Sequence, residues 1–512
     1  MLNNLDQEET YKMTDRKDSK LRPFMLGGTG SDVGKSIVAT AFCRIFLQDG
    51  YRPAPFKAQN MALNSFITAD GLEIGRAQAV QAEAAVVPCQ TDMNPILLKP
   101  TGNKSSQLVL NGKVAGNQSA QSYFRKEGRS ELRKAVNDAF DRLATNYNPI
   151  VMEGAGSIAE INLREVDLVN MSMAIHANAA VVLVADIDRG GVFASIYGTV
   201  MLMTPQERKH LKGVIINKFR GDIKLFESGI KIIEDLCKIP VLGVIPHYTD
   251  IHIEEEDSVT LETKSRLATE GKINIVVVLL KHLSNYTDFN VLERDPRVHL
   301  FYSNNTEEIK KADIILIPGT KNTISDLYEI RKNGVAQSII KAHKNGVTVV
   351  GICGGYQMMG LEVCDTNQVE GEIKRFPGLN LLPVITELGD EKVTRQVEFN
   401  FLDQTQAHCK GYEIHMGTTS PTEEANDSPV NRKLDGTTDG YFLNEKCFGT
   451  YIHGILDNSS VIEYLLAPYS EKLNAEPLDI EAFKNQQYDK LAAHVRKHVD
   501  MELVYKILKE TE

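Results

Sequence analysis

Two groups of residues have the types and spacing to do chemistry. The first begins in LGGTGSDVGKSIVAT, residues 26–40, where an apolar stretch enters a glycine-rich turn and leaves through Gly34-Lys35-Ser36 into a segment with apolar residues at helical spacing. A turn between a strand and a helix start presents free backbone N–H groups and the positive end of the helix dipole to a phosphate. In such a loop Lys35 would reach the β- and γ-phosphates and the Ser36 hydroxyl would take Mg2+. The common pattern has a glycine five residues before Gly34; Thr29 stands there, between Gly28 and Gly30. The chemistry needs pliable backbone ahead of the helix, not a glycine at one offset. Thr29, Gly30, Ser31, Gly34, Lys35 and Ser36 are therefore candidate nucleotide contacts, the alternative being a glycine-rich turn with a surface lysine.

Further along, Glu153 in MEGAGSIAEINL follows an apolar run, where a carboxylate can meet Mg2+ beside the phosphates. Asp186 and Asp188 end VLVADID, and Asn217 in VIINKFRGD ends another run, where its amide can read a purine edge. Ligands of open α/β sheets bind beyond the carboxyl ends of the strands, so polar residues at successive strand ends mark a crevice. FKAQNMALNS and DMNPILLKP supply amide and cationic groups able to grip carboxylates: Lys57, Gln59, Asn60, Asn64, Asn94 and Lys99.

The second group centres on Cys353 in VTVVGICGGYQMMG. Glycines on both sides of a nucleophile permit a sharp strand-to-helix elbow that exposes its side chain. The Gly354 N–H and the helix dipole would stabilise a thiolate and an oxyanion, and LIPGTKNT can add a second oxyanion donor from Gly319 or Thr320. A thiol nucleophile commonly has a base. His453 in GTYIHGILDN and His415 in GYEIHMG are both available, and spacing does not choose between them.

The elements that must hold these residues follow two α/β rhythms. PFMLGG, PIVMEG, AAVVLVADI, LKGVIINKF and VLGVIP read as buried strands, continuous rather than alternating, with helical patterns at 36–48, 73–86 and 130–145 between them. That is the rhythm of a parallel sheet with helices on both faces. After a polar stretch with an acidic run at 254–257, KINIVVVLL, VHLFYS, DIILIPG and VTVVGICGG repeat it; EGEIKRF, KGYEIHMG and CFGTYIHG read as antiparallel or edge strands, and the tail from about Leu478 as helical. The expected organisation is a disordered leader at 1–20, a phosphate-loop domain at 21–248, a linker at 249–271 and a second α/β domain at 272–512 with a helical C-terminal tail.

Composition narrows the function classes. The 512 residues are 42% hydrophobic and 24% charged with net charge −11, which gives no nucleic-acid footprint. No apolar run approaches the roughly 18 residues of a membrane helix, and the charged start lacks a signal-peptide core. Seven scattered cysteines without a CxxC pair fit a reducing cytoplasm rather than zinc or disulfide chemistry. Oligomeric state is not legible.

GTGSDVGKS is similar to the variant loop of the dethiobiotin synthetase-like ATP-dependent ligases, which implies a P-loop fold, with Glu153 as a metal ligand and Asn217 as an adenine contact. The later half resembles the class I glutamine amidotransferases, whose cysteine lies in a G-x-C-x-G elbow and whose base is the later histidine, here His453. The usual acid two residues beyond that histidine is replaced by Ile455, so either a Cys–His dyad suffices or another acid orients the ring, with Asp457 and Glu413 as candidates. From about Leu21 the whole chain resembles the cobyric acid synthase family of CobB/CobQ type, through FKAQNMALNS, LEIGRAQAVQAEAA, MNPILLKP, VADIDRGGVFAS, NKFRGD, PGTKNT, GICGGYQMMG, GYEIHMG and GTYIHGILD. That resemblance implies Mg2+, with ATP and glutamine as co-substrates, and a corrinoid substrate, adenosylcobyrinic acid a,c-diamide, amidated at its b, d, e and g carboxylates. The rival readings are a cobyrinic acid a,c-diamide synthase, another carboxylate amidase of the same build, and a regulatory ATPase with an inactive amidotransferase module.

Overall fold

The computed structural model describes residues 19–102, 105–119, 129–254, 264–402, 404, 408–472 and 475–510. The expected leader falls largely outside these residues, and so does the middle of the expected linker, residues 255–263. The chain divides into two compact units, one formed by residues 1–62, 73–254 and 482–512, the other by residues 63–72 and 255–481.

The first unit is built on six parallel strands: β1 (Phe24–Gly28), β2 (Ala54–Phe56), β3 (Ile150–Glu153), β4 (Ala180–Asp186), β5 (Leu211–Phe219) and β6 (Val241–Pro246). Their spatial order is β6-β5-β4-β1-β3-β2, every adjacent pair parallel. The continuous apolar runs are explained by burial on both faces: Met25, Leu26, Val151 and Val181 to Val184 are all fully buried. Helix α1 (Lys35–Gln48) packs Phe42 and Phe46 against Phe24, with ring centroids 4.5 and 6.0 Å apart. The 73–86 pattern divides. Gly75 keeps an extended backbone, Glu73–Gly75 forms a short strand, and helix α2 covers Arg76–Ala84.

The second unit repeats the plan with β7 (Ile273–Val278), β8 (Val298–Ser303), β9 (Ile314–Ile317), β10 (Thr348–Ile352), β11 (Tyr441–Asn444) and β12 (Cys447–Thr450), ordered β8-β7-β9-β10-β12-β11. Only the edge pair β11–β12 is antiparallel. Helices α3 (Thr323–Lys332) and α4 (Gly354–Met359) follow β9 and β10. A long hairpin, Val384–Phe401 against Cys409–Pro421, anchors a mixed sheet. CFGTYIHG, expected as one antiparallel or edge strand, serves both sheets. Cys447–Thr450 lies parallel to β10, while Ile452–His453 pairs antiparallel with Tyr412 and Glu413. EGEIKRF shrinks to the strand Arg375–Pro377 because residues 369–371 donate their N–H groups to Asp365 instead of to a ladder.

The expected boundaries need two corrections. The C-terminal helices α5 (Ile480–His498) and α6 (Met501–Lys509) belong to the first unit from residue 482 onward. Their apolar stripe, including Leu491, Val495, Ile507 and Leu508, joins the core of Phe42 and Phe46. Close approach holds them there: Asp500 N–H donates to Leu242 O at 2.7 Å, and a Cβ on Gly243 would lie 2.3 Å from His498 O. Conversely, residues 63–72 leave the first unit for the second. Tyr286 N–H donates to Asn64 Oδ1 at 3.2 Å, and Phe66 packs on Tyr412 with centroids 5.4 Å apart. Among the described residues no helix is long and apolar enough to cross a membrane.

Leu491 is fully buried in the first unit's core. Leu491→Ala should therefore cost about 2–5 kcal/mol of that unit's stability. Urea unfolding followed by unit-specific probes should show the first unit's midpoint falling and the second unit's unchanged. An unmoved first midpoint would mean that α5 adds nothing to that core.

Candidate active sites

In the first unit the carboxyl ends of β1, β3, β4 and β5 bring the nucleotide candidates together. Thr29, Gly30, Ser31 and Gly34 form the turn from β1 to α1, and Lys35 and Ser36 open the helix. Gly34 has φ +95°, and a Cβ there would lie 2.2 Å from Asn217 Nδ2, so glycine is required on both counts. Asn217 closes the loop from β5, donating from Nδ2 to Val33 O at 2.9 Å. Lys35 Nζ donates to Gly30 O at 2.8 Å and Gly156 O at 3.0 Å, so the ammonium lies inside the loop.

Glu153 gathers the rest. Its Oε1 accepts from Ser36 Oγ at 2.8 Å and from Lys57 Nζ at 2.7 Å, and its Oε2 accepts from Gln81 Nε2 at 2.8 Å. Burial pushes this carboxyl up. The Lys57 charge and the hydrogen bonds from Lys57, Gln81 and Ser36 outweigh that and hold it below the ordinary carboxylate range. The Ser36 hydroxyl and the Lys57 ammonium donate to the same oxygen of this ionised carboxylate, so the cation beside it is Lys57. The donor set fits Mg2+, which takes one or two protein oxygens and fills its shell with phosphate and water. Among the described residues there is no group of three or more His, Cys, Asp or Glu that could hold a metal unaided.

The expected carboxylate-gripping residues are divided between the two units. Lys57 and Asn60 stay near Glu153 and α2, and Gln59 lies on the neighbouring short strand Gln59–Met61. Asn94 is a framework group: it accepts from Gly75 N–H and donates to Lys57 O and Ile96 O, both at 2.9 Å. Lys99 is buried against Glu73 at 2.7 Å. Asn64 lies in the second unit.

In the second unit Cys353 occupies the turn between β10 and α4 with φ +53° and ψ −112°, a conformation that costs about 1–3 kcal/mol and survives only when its surroundings impose it. The surroundings are backbone. A Cβ on Gly355 would lie 1.9 Å from Ile317 O, and one on Gly354 2.7 Å from Thr320 Cγ2. Gly354 opens α4, so its N–H has no intrahelical acceptor. Gly319 lies beside the histidine, its notional Cβ 3.1 Å from His453 Cε1. The Thr320 hydroxyl is tied to Asp326 Oδ2 at 2.6 Å, which fixes the loop.

His453 is the histidine joined to the thiol. It is buried and electrostatically coupled to Cys353, whose Sγ donates to Ile414 O at 3.6 Å, and its Nδ1 lies 2.6 Å from Asp288 Oδ2. Asp288 Oδ1 also accepts from Gly454 N–H at 3.0 Å, so the carboxylate clamps ring and backbone together. Burial pushes the imidazolium down, but Asp288 and Cys353 outweigh it and raise it to about 10. His415 is different: its Nδ1 faces Gly417 O at 3.1 Å, its ring stacks on Tyr451, and burial lowers it to about 4. The sequence reading missed Asp288. Of its two candidate acids, Glu413 is bound to Lys433 at 3.0 Å and to Arg395, and Asp457 ends the turn Ile455–Asp457 beyond the histidine. No local spacing points to Asp288, which is 165 residues from His453; the available signal is an acid between aromatics in SNYTDFN, just after a buried strand.

Fold and sites together define a glutamine amidotransferase joined to a nucleotide-binding unit. Residues 24–261 match the CobQ/CobB/MinD/ParA nucleotide binding domain, and residues 274–461 the CobB/CobQ-like glutamine amidotransferase domain. Relatives match along the full length. A cobyric acid synthase of Bacteroides fragilis is 68% identical over 97% of this chain and 100% of its own. One of Phocaeicola vulgatus is 67% identical over 95% and 98%, and one of Syntrophobacter fumaroxidans 46% identical over 96% and 99%. The chain belongs to the cobyric acid synthase family.

The raised His453 has a consequence for stability. Because its folded value lies above the ordinary 6.5, protonation stabilises the fold fully below about 6.5, and that contribution disappears as pH rises through about 10. The difference in urea midpoint between wild type and His453→Gln should therefore shrink from pH 6.5 to pH 10. A constant or growing difference would rule out an imidazolium held by Asp288.

Proposed function

We propose that the chain amidates the b, d, e and g carboxylates of adenosylcobyrinic acid a,c-diamide, using ATP and glutamine, as a step of cobalamin biosynthesis. The observation that carries this reading is the presence in one polypeptide of two different activating sites: the Lys35, Ser36 and Glu153 cluster, and the Cys353–His453–Asp288 array. A carboxylate is a poor electrophile, and phosphorylation by ATP converts it to an acyl phosphate. Ammonia at neutral pH is mostly ammonium, so its release from glutamine within the protein supplies the reactive neutral form.

In the second unit the Cys353 sulfur attacks the glutamine carboxamide carbon, and the Gly354 and Gly319 backbone receives the oxyanion. His453 gives its Nε2 proton to the departing nitrogen, and water then cleaves the thioester. Asp288 is a positioning residue that keeps the Nδ1 proton in place and stabilises the imidazolium. In the first unit the loop from Thr29 to Ser36 holds the triphosphate, Lys35 reaches its terminal phosphates, and Asn217 lies toward the base. Ser36 and Glu153 would hold Mg2+, which supplies neutralisation of phosphate charge. Lys57 has to leave Glu153 for that to happen, and its ammonium is then available to the carboxylate substrate. The enzyme works in the cytoplasm, where ATP and glutamine are plentiful.

Cys353→Ala should abolish glutamine-driven amidation while leaving synthesis from ammonium chloride, and Lys35→Ala should cripple both. Equal loss from either nitrogen source in Cys353→Ala would refute the division of labour. Asp288→Asn should lower glutaminase kcat about a hundredfold or more and shift its pH profile. Ammonium-driven synthesis should persist, and Asp288→Glu should recover part of the rate. A glutaminase profile identical to wild type would remove Asp288 from the mechanism.

A further inference from the structure

Helix α2 carries two fully buried glutamines one turn apart, Gln78 and Gln81. Neighbouring groups fix the orientation of both amides. Met61 N–H donates to Asn60 Oδ1 at 3.0 Å, which turns Asn60 Nδ2 toward Gln78 Oε1 at 3.2 Å. Gln78 Nε2 is then a donor with no acceptor. Gln81 Nε2 donates to Glu153 Oε2 at 2.8 Å and Ser36 O at 3.4 Å, and its Oε1 is an acceptor with no donor. An unbonded amide atom in a protein interior costs free energy, and a half-satisfied polar network is less stable than an apolar core of the same shape. Packing alone would select methionine or leucine at these positions. The cluster also constrains its surroundings: a Cβ on Gly75 would lie 2.6 Å from Asn60 Nδ2, 2.9 Å from Gln78 Oε1 and 3.0 Å from Asn94 Oδ1.

We propose that Gln78 and Gln81 form the receiving site of the first unit, Gln78 Nε2 donating to an oxygen of the carboxyl group being amidated and Gln81 Oε1 accepting an N–H of the incoming ammonia. The inference rests on the amide-forming function proposed above. One unbonded donor on the amide bonded to Asn60 and one unbonded acceptor on the amide bonded to Glu153 match a group that ends as a carboxamide, with C=O toward Gln78 and N–H toward Gln81. Both partners are neutral. A carboxylate in place of Gln81 Oε1 would favour ammonium, which has no lone pair to attack with. A neutral acceptor orients ammonia and leaves the lone pair available. The nitrogen lone pair forms the C–N bond as the acyl C–O bond to phosphate breaks. Phosphate leaves with that electron pair, and the nitrogen loses one proton to solvent.

The test uses the full chain with adenosylcobyrinic acid a,c-diamide, ATP, Mg2+ and ammonium chloride, so that glutamine hydrolysis plays no part. Gln78→Glu keeps the acceptor facing Asn60 and replaces only the unbonded donor; it should raise KM for the corrinoid at least tenfold and leave KM for ATP within twofold. Gln78→Met should do the same with little change in melting temperature. Gln81→Met should raise KM for ammonia at least tenfold, and glutaminase activity should be unchanged in all three variants. Wild-type corrinoid and ammonia KM values in folded variants would overturn the proposal. So would a large loss of melting temperature in Gln78→Met with its KM unchanged, the result expected if an ordered water satisfies the amide. If the wild-type chain forms no amide with ATP, the functional reading fails and the pair fails with it; normal wild-type synthesis with unaffected variants removes the pair alone.

Discussion

Both sites depend on polypeptide backbone approaching other groups more closely than any Cβ permits. At Gly34 the loop backbone lies against the Asn217 amide, and at Gly355 the elbow presses on Ile317 O. These contacts fold the chain sharply enough that a strand end and a helix start share one small space. The N–H groups of a helix start have no intrahelical acceptors, so the same geometry that demands glycine creates an anion-binding corner. One fold rule, applied twice, yields the corner where we propose that phosphates bind in one unit and the corner where we propose that an oxyanion forms in the other.

Charge is handled differently at the two sites. Glu153 is buried with three hydrogen-bond donors around it, one of them the cationic Lys57, so the carboxylate already has a cationic partner. Removing either member of such a buried pair leaves an uncompensated charge. At the second site an imidazolium sits between the Asp288 carboxylate and the Cys353 sulfur. The carboxylate is also fastened to Gly454 N–H, so ring and main chain are set by one group.

The chain path ties the units together covalently. Asn60, whose amide meets Gln78, and Asn64, which accepts from Tyr286 N–H, are four residues apart and belong to different units. Tyr286 begins the turn that carries Asp288. The C-terminal helices run the other way, returning to complete the core of Phe42 and Phe46.

The sequence by itself determined most of the parallel strands of the two central sheets, the two turns and the residues placed on them. Apolar runs and glycine spacing are local signals, and Lys35, Ser36, Glu153, Cys353 and His453 all lie within or beside such runs. Tertiary structure alone decided which distant groups meet. Asp288 reaches His453 across 165 residues, Gln81 reaches Glu153 across 72, and α5 joins a core begun at Leu21. Tertiary structure also gave Asn94, Lys99 and Asn64 their internal partners. The physical reason is that periodicity records which face of an element is buried, whereas hydrogen-bond partners are set by packing between elements, and packing leaves no fixed spacing along the chain.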